Sequence, residues 1–163
     1  MASLASFDIV SDFDQQELKN ALDQAEREIQ NRYDLKDTKT TIDMGDGELT
    51  LNSASEYSLQ AVRDIIESKL VRRGLSLKIL DYGKEEPTTG GRVRQLVKLQ
   101  RGIPDDLAKQ VTKRVRDEFK KVTPQIQGNA IRVQAKNKDD LQTVIQALKE
   151  ETFPVALQFI NYR

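Results

Sequence analysis

The sequence predicts an α+β fold of two ferredoxin-like, split-βαβ domains, each an antiparallel four-stranded sheet with two helices on one face. Three observations carry this expectation. One order of elements (strand, helix, two strands, helix, strand) fills residues 5–82 and recurs over residues 92–162. A period of about 85 residues is too long for a solenoid and suits two copies of one small domain. The element order itself is the split-βαβ motif, whose helices cover one sheet face and leave the other open. An open face on a chain without a visible catalytic constellation points to binding before chemistry.

Each element follows from its own pattern. Phe7 and Ile9 alternate with Ser6 and Asp8 in a first strand. Leu18, Leu22, Ala25 and Ile29 recur at offsets of four, three and four, the stripe of an amphipathic helix. Asp12 or Asp14 is its expected N-cap, and it should fade by Tyr33-Asp34. Ile42 and Met44 mark a strand, Gly45-Asp46-Gly47 a hairpin turn, and Leu49 and Leu51 the returning strand. Ser55 opens a second helix carrying Leu59, Val62, Ile66 and Leu70, with Gly74 beyond its end. Leu75, Leu77 and Ile79 then read as the closing strand. Residues 83–91 (GKEEPTTGG) hold no apolar residue and read as a linker.

The second copy opens with a strand over 92–101, in which Val93, Val97 and Leu99 alternate with Arg92, Arg94 and Lys98. Pro104 suits the first turn of a helix with Leu107, Val111, Val115 and Phe119 on its stripe. Ile126, a Gly128-Asn129 turn, and Ile131, Val133 and Ala135 form a hairpin. Asp139-Asp140 opens the last helix with Leu141, Val144, Ile145 and Leu148, Pro154 ends it, and Val155, Leu157 and Phe159 close the domain as a strand.

Composition narrows the function. No apolar run approaches the roughly 20 residues of a membrane span. The N-terminus lacks a basic region followed by an apolar core, so the expected location is cytoplasmic. The chain has no Cys and no His, which removes thiolate metal sites, disulfides, the commonest general base and the commonest metal ligand. No catalytic residue, metal site or cofactor is therefore expected, and a Ser-His-Asp triad cannot be built. No GxxxxGK[ST] or GxGxxG is present, which leaves P-loop hydrolysis unsupported. The net charge of zero conceals an asymmetry. Residues 1–90 hold 11 Lys or Arg against 18 Asp or Glu, a balance of −7, and residues 91–163 hold 15 against 8, a balance of +7. The halves attract each other, or the second half presents an anion-binding surface, and both readings are compatible.

The blocks SFDIVS, RYDLK, KLQRGIPDDLAKQV, IQG followed by IRVQAK, KDDLQTVI and the ending QFINYR together resemble the YajQ family of bacterial proteins, from Ser6 to Arg163. The resemblance implies two ferredoxin-like domains that exchange their N-terminal strands. Residues 12–101 would form the first domain, completed by the strand at 92–101. Residues 1–11 with 102–163 would form the second, completed by the strand at 5–10. It also implies a nucleotide-binding or nucleic-acid-binding role, with some relatives acting as cyclic di-GMP effectors, and it supplies no catalytic motif. Exchange agrees with charge. Without it, Arg92, Arg94 and Lys98 would crowd against Arg132 and Lys136, whereas with it they neighbour Glu48, Thr50 and Asn52.

The expected function is a non-enzymatic nucleotide-binding protein. Its candidate site is Arg92, Arg94 and Lys98 on one strand face with Arg132, Gln134 and Lys136 on another, cations for phosphate oxygens and an amide for a base edge. An ordinary solvated face would look the same. The alternative is a sequence-nonspecific nucleic-acid binder that lays a backbone along Lys109, Lys113, Arg116 and Lys120, spaced four, three and four on one helix. A protein-interaction module is the second alternative. Base stacking in the manner of RNA-recognition modules is not expected, because ELTLNS and AIRVQAK carry no aromatic residue. Asp12-Asp14 and Asp139-Asp140 read as helix caps. Phe153, Phe159 and Tyr162 read as core or sheet edge.

Overall fold

The computed structural model describes residues 4–163, so the expected domain stretch 1–11 is described only from Leu4 onward. Twelve elements follow the expected order. They are β1 (Ala5–Val10), α1 (Gln15–Asn31), β2 (Thr41–Gly45), β3 (Glu48–Ser53), α2 (Glu56–Arg72), β4 (Leu80–Pro87), β5 (Val93–Leu99), α3 (Asp105–Glu118), β6 (Val122–Gln127), β7 (Ala130–Ala135), α4 (Lys138–Lys149) and β8 (Gln158–Ile160). The chain divides into a first compact unit, Phe13–Gln100, and a second formed by the described residues up to 12 with Arg101–Arg163.

The first unit has an antiparallel sheet in the order β2-β3-β5-β4, the second one in the order β6-β7-β1-β8. The strand between two neighbours in each, β5 and β1, comes from the other half of the chain, as the resemblance implies. β1 pairs Asp8 with Arg132 and Ile9 with Ile131, while β5 pairs Lys98 with Glu48 and Arg94 with Asn52. The connections that carry the chain between units meet at one place in the second unit. There the Gly102 N–H donates to the Ser11 carbonyl at 2.6 Å, and Arg101 pairs with Asp12.

Alternation decides which face each strand buries. β7 sends Ile131, Val133 and Ala135 into the core, and β1 sends Phe7 and Ile9, against Val115 of α3 and Val144 of α4. Phe7 meets Phe159 edge to face at 6.0 Å, and Tyr162 stacks on Phe7 at 6.2 Å. In the first unit Leu49 and Leu51 of β3 and Val97 of β5 pack under Leu18, Ala25, Leu59 and Val62. α1 starts at Asp14, whose Oδ1 accepts from the N–H of Gln16 and of Glu17. α2 starts with a capping box in which the Ser55 hydroxyl accepts from the Ser58 N–H and the Ser58 hydroxyl from the Ser55 N–H.

Four boundaries differ from expectation. Residues 77–79 form a 3-10 turn capped by the Ser76 hydroxyl, so the closing strand of the first unit begins at Leu80 rather than Leu75. The expected linker 83–91 is consequently strand through Pro87. Glu85, Glu86 and Pro87 pair with Gln95, Arg94 and Val93 across an irregularity after Tyr82. Charge, glycine and proline suggest a linker by composition, yet an edge strand tolerates all three. Gly83 is required there, because a Cβ would lie 2.8 Å from the Leu96 carbonyl oxygen. The last strand is shorter and later than expected: Val155 is buried without strand pairing, and only Gln158–Ile160 pairs with β1. α3 stops at Glu118, which leaves Phe119 beyond the helix.

Candidate functional site

The six residues expected to hold a nucleotide fall on two sheets. Arg92, Arg94 and Lys98 belong to the first unit and Arg132, Gln134 and Lys136 to the second.

In the first unit two of the three cations are already engaged. Arg92 donates from Nε to the Asn52 amide oxygen at 2.9 Å, and from Nη1 and Nη2 to the Thr38 and Lys39 carbonyls at 2.8 and 2.9 Å. Its guanidinium holds the loop before β2. Arg94 pairs with Glu86 at 2.9 Å, and Lys98 lies between Glu48 and Asp81 in the strand register. A cavity of about 200 Å³ in this unit is lined by Glu26, Asp43, Gln30, Thr40 and Thr41. Burial, reinforced by Asp23 and Asp43, pushes the Glu26 carboxyl up. That surface repels a phosphate.

The second unit is different. β7 alternation puts Arg132, Gln134 and, just beyond the strand, Lys136 opposite the core, and the same parity along β6 brings Lys121 and Thr123 to that side. Gln134, Lys136, Lys121 and Thr123, together with Asn137 and Asp140 from the start of α4 and Leu4 ahead of β1, line a cavity of about 440 Å³. Ala135 completes it. Lys121 and Lys136 make no ion pair among the described residues. The α4 N-cap is Asn137 rather than the expected Asp139 or Asp140, which lie in the first turn, and it makes no side-chain capping bond, so the first-turn N–H groups at this end are offset only by those two carboxylates. Asp140 is the one carboxylate in the lining among the described residues. Two ammonium groups, a helix start, a hydroxyl and an amide in a space of this size can take an anionic group joined to a polar ring system.

Beside the cavity, Arg132 donates from Nε to Oδ1 of Asp8 at 3.0 Å and from Nη2 to Oδ2 at 3.4 Å. Asn161, in the left-handed region at φ 58°, donates its amide to Oδ2 at 2.8 Å. The Arg132 hydrogen bonds, chiefly, hold the Asp8 carboxyl below the ordinary carboxylate range, helped by Asn161 and the Arg163 charge and opposed by burial. The pairing raises Arg132 in turn.

Among the α3 cations, Lys109, Lys113 and Arg116 are exposed on the helix, and Lys120 follows its C-cap. None is ion-paired among the described residues. Of the residues lining this cavity, sequence reasoning names Gln134 and Lys136 as candidates and does not name Lys121, Thr123 or Asn137. The parity of β6 could have found the first two, since 121, 123 and 125 alternate with buried Val122 and Pro124. Nothing in the sequence signals Asn161.

A family model described as "Nucleotide-binding protein YajQ-like" matches residues 5–163. The chain is 59% identical to a protein of Trichodesmium erythraeum named "Nucleotide-binding protein", over all of both chains. It is 58% identical, again over all of both chains, to proteins of the same name from Trichormus variabilis and from a Synechococcus strain.

Proposed function

The chain belongs to the YajQ-like nucleotide-binding protein family, and from that premise we propose that it binds a nucleotide, without transforming it, in the cavity of the second unit. The observation that carries this is the convergence of Lys121, Lys136, Gln134 and the start of α4 on one 440 Å³ space. The phosphate lies against the two ammonium groups and the α4 N–H groups, and Gln134 and Thr123 meet polar atoms of the nucleoside. Arg92 and Arg94 act on the protein itself, holding the 38–39 loop and the β4 edge. The ligands to try are the four ribonucleoside 5′-monophosphates and cyclic di-GMP, the class to which the effector role would belong.

Calorimetric titration of the wild type and of Lys121→Glu/Lys136→Glu tests the site. Hydrogen bonds to charged groups are worth about 1.5–3 kcal/mol each, so the double reversal should weaken the best ligand at least tenfold. Its unfolding temperature should stay near that of the wild type. Undiminished affinity in the double variant overturns the site.

A second reading follows from the unpaired cations of α3, which support binding of a nucleic-acid backbone. It requires affinity for a single strand to fall steeply with salt, with a log-log slope near −0.7 per phosphate contacted. Lys109→Glu/Lys113→Glu should flatten that slope. A salt-insensitive oligonucleotide affinity would remove this reading and leave the cavity untouched.

A further inference from the structure

Resting on the cavity reading, we propose that Arg132 seats the base of the bound nucleotide and that Asp8, delivered by the exchanged strand β1, is the positioning residue that makes it able to do so. Arg132, Gln134 and Lys136 share one face of β7, and successive members of such a row are roughly 6.7 Å apart. The latter two line the cavity, so Arg132 is the next group outward along the strand from the phosphate end. Its guanidinium is gripped by both Asp8 oxygens through Nε and Nη2, while Nη1 has no partner among the described residues. A planar guanidinium fixed in this way offers one face for stacking and free donors for a base edge.

The surroundings agree. Asp8 is only 8% exposed and spends its charge on Arg132 and Asn161, so it does not confront the phosphate. Across the strands, Gln125 lies beside Arg132 and Ser6 beside Gln134. One is neutral and the other small, so neither repels nor fills the place of a ring. The nearest aromatic groups on β1 and β8, Phe7 and Phe159, pack with the core. Arg132 therefore offers this face a planar group.

The test compares inorganic phosphate with the four ribonucleoside 5′-monophosphates as calorimetric titrants. The wild type should bind at least one monophosphate tenfold or more tighter than phosphate. Arg132→Lys keeps the charge and the Asp8 partner but loses the plane, and should reduce that ratio at least fivefold with phosphate affinity unchanged. Asp8→Asn should do the same through a guanidinium that is no longer held. Asp8→Glu should restore part of the ratio, which a purely structural role would not produce. A nucleotide-to-phosphate ratio that survives Arg132→Lys overturns the proposal, and because that position is partly exposed the variant is expected to fold. If the wild type binds phosphate through Lys121 and Lys136 but no monophosphate more tightly, this inference fails while the cavity stands. If it binds neither, the cavity reading itself fails.

Discussion

Phe7 lies six positions before the first unit in sequence yet is wholly buried in the second, so truncating it should damage the part of the molecule from which it is remote along the chain. Phe→Ala in a well-packed core costs about 3–5 kcal/mol. Part of that cost comes from its ring contacts with Phe159 and Tyr162 at 6.0 and 6.2 Å. Against a domain stability on the order of 5–15 kcal/mol this is a large fraction. For a unit this small it should lower the unfolding temperature by roughly 12 °C or more. Amide hydrogen exchange resolved along the chain is the assay. In Phe7→Ala, protection should fall in α3, α4, β6 and β7, while α1, α2, β3 and β5 keep that of the wild type. Leu59→Ala, a fully buried residue of α2, should give the mirror pattern. If Phe7→Ala instead strips protection from α1 and α2 first, β1 does not belong where its pairing puts it, and the reasoning is refuted.

Two further outcomes follow from particular contacts. Gly83→Ala should destabilise the first unit by about 1–3 kcal/mol, because its Cβ meets a backbone carbonyl that cannot swing aside; thermal unfolding within a few tenths of a kcal/mol of wild type would contradict the close approach. Asp8 has a folded pKa below its unfolded value near 3.8, so its stabilising effect is complete above that pH and is lost as pH falls through the folded pKa. Urea unfolding of wild type and Asp8→Asn should therefore differ by a constant amount above about pH 5 and converge below pH 4. A gap that widens on acidification would reverse the sign argued here.

The fold was legible because the two cores are written as periodic apolar stripes. Leu18, Leu22, Ala25 and Ile29 are all buried, as are Leu141, Val144, Ile145 and Leu148. Where the reading slipped, a local signal stood in for a pairing decided elsewhere. GKEEP looks like a linker in isolation and becomes a strand only because β5 offers it a ladder. Leu75 and Leu77 read as strand, but the Ser76 hydroxyl caps a turn there. The lining of the candidate cavity was half legible. Strand alternation placed Gln134 and Lys136 on the open face, while charge alone could not separate Arg94, neutralised by Glu86, from Lys136. That distinction depends on cross-strand register, which no single segment contains. Lys121 escaped notice because it stands at the junction of a helix and a strand, where neither period is established.

The pairing of β1 also sets a timetable for synthesis. Asp8 finds Arg132 across 124 residues, so the strand emerges long before its partners exist. At about 5–20 residues per second, the ribosome needs roughly 6 to 25 s between releasing one and the other. The first unit, whose own central strand ends at Leu99, can close in the meantime. Throughout that interval Phe7 and Ile9, both fully buried in the finished molecule, remain in water with an unpaired backbone on both sides. A short apolar strand with free edges is the kind of segment that joins other chains. Its exposure falls in the window when nascent copies on one message lie close together. Asp8, charged and in the middle of that strand, disfavours stacking of such copies until Arg132 arrives to neutralise it.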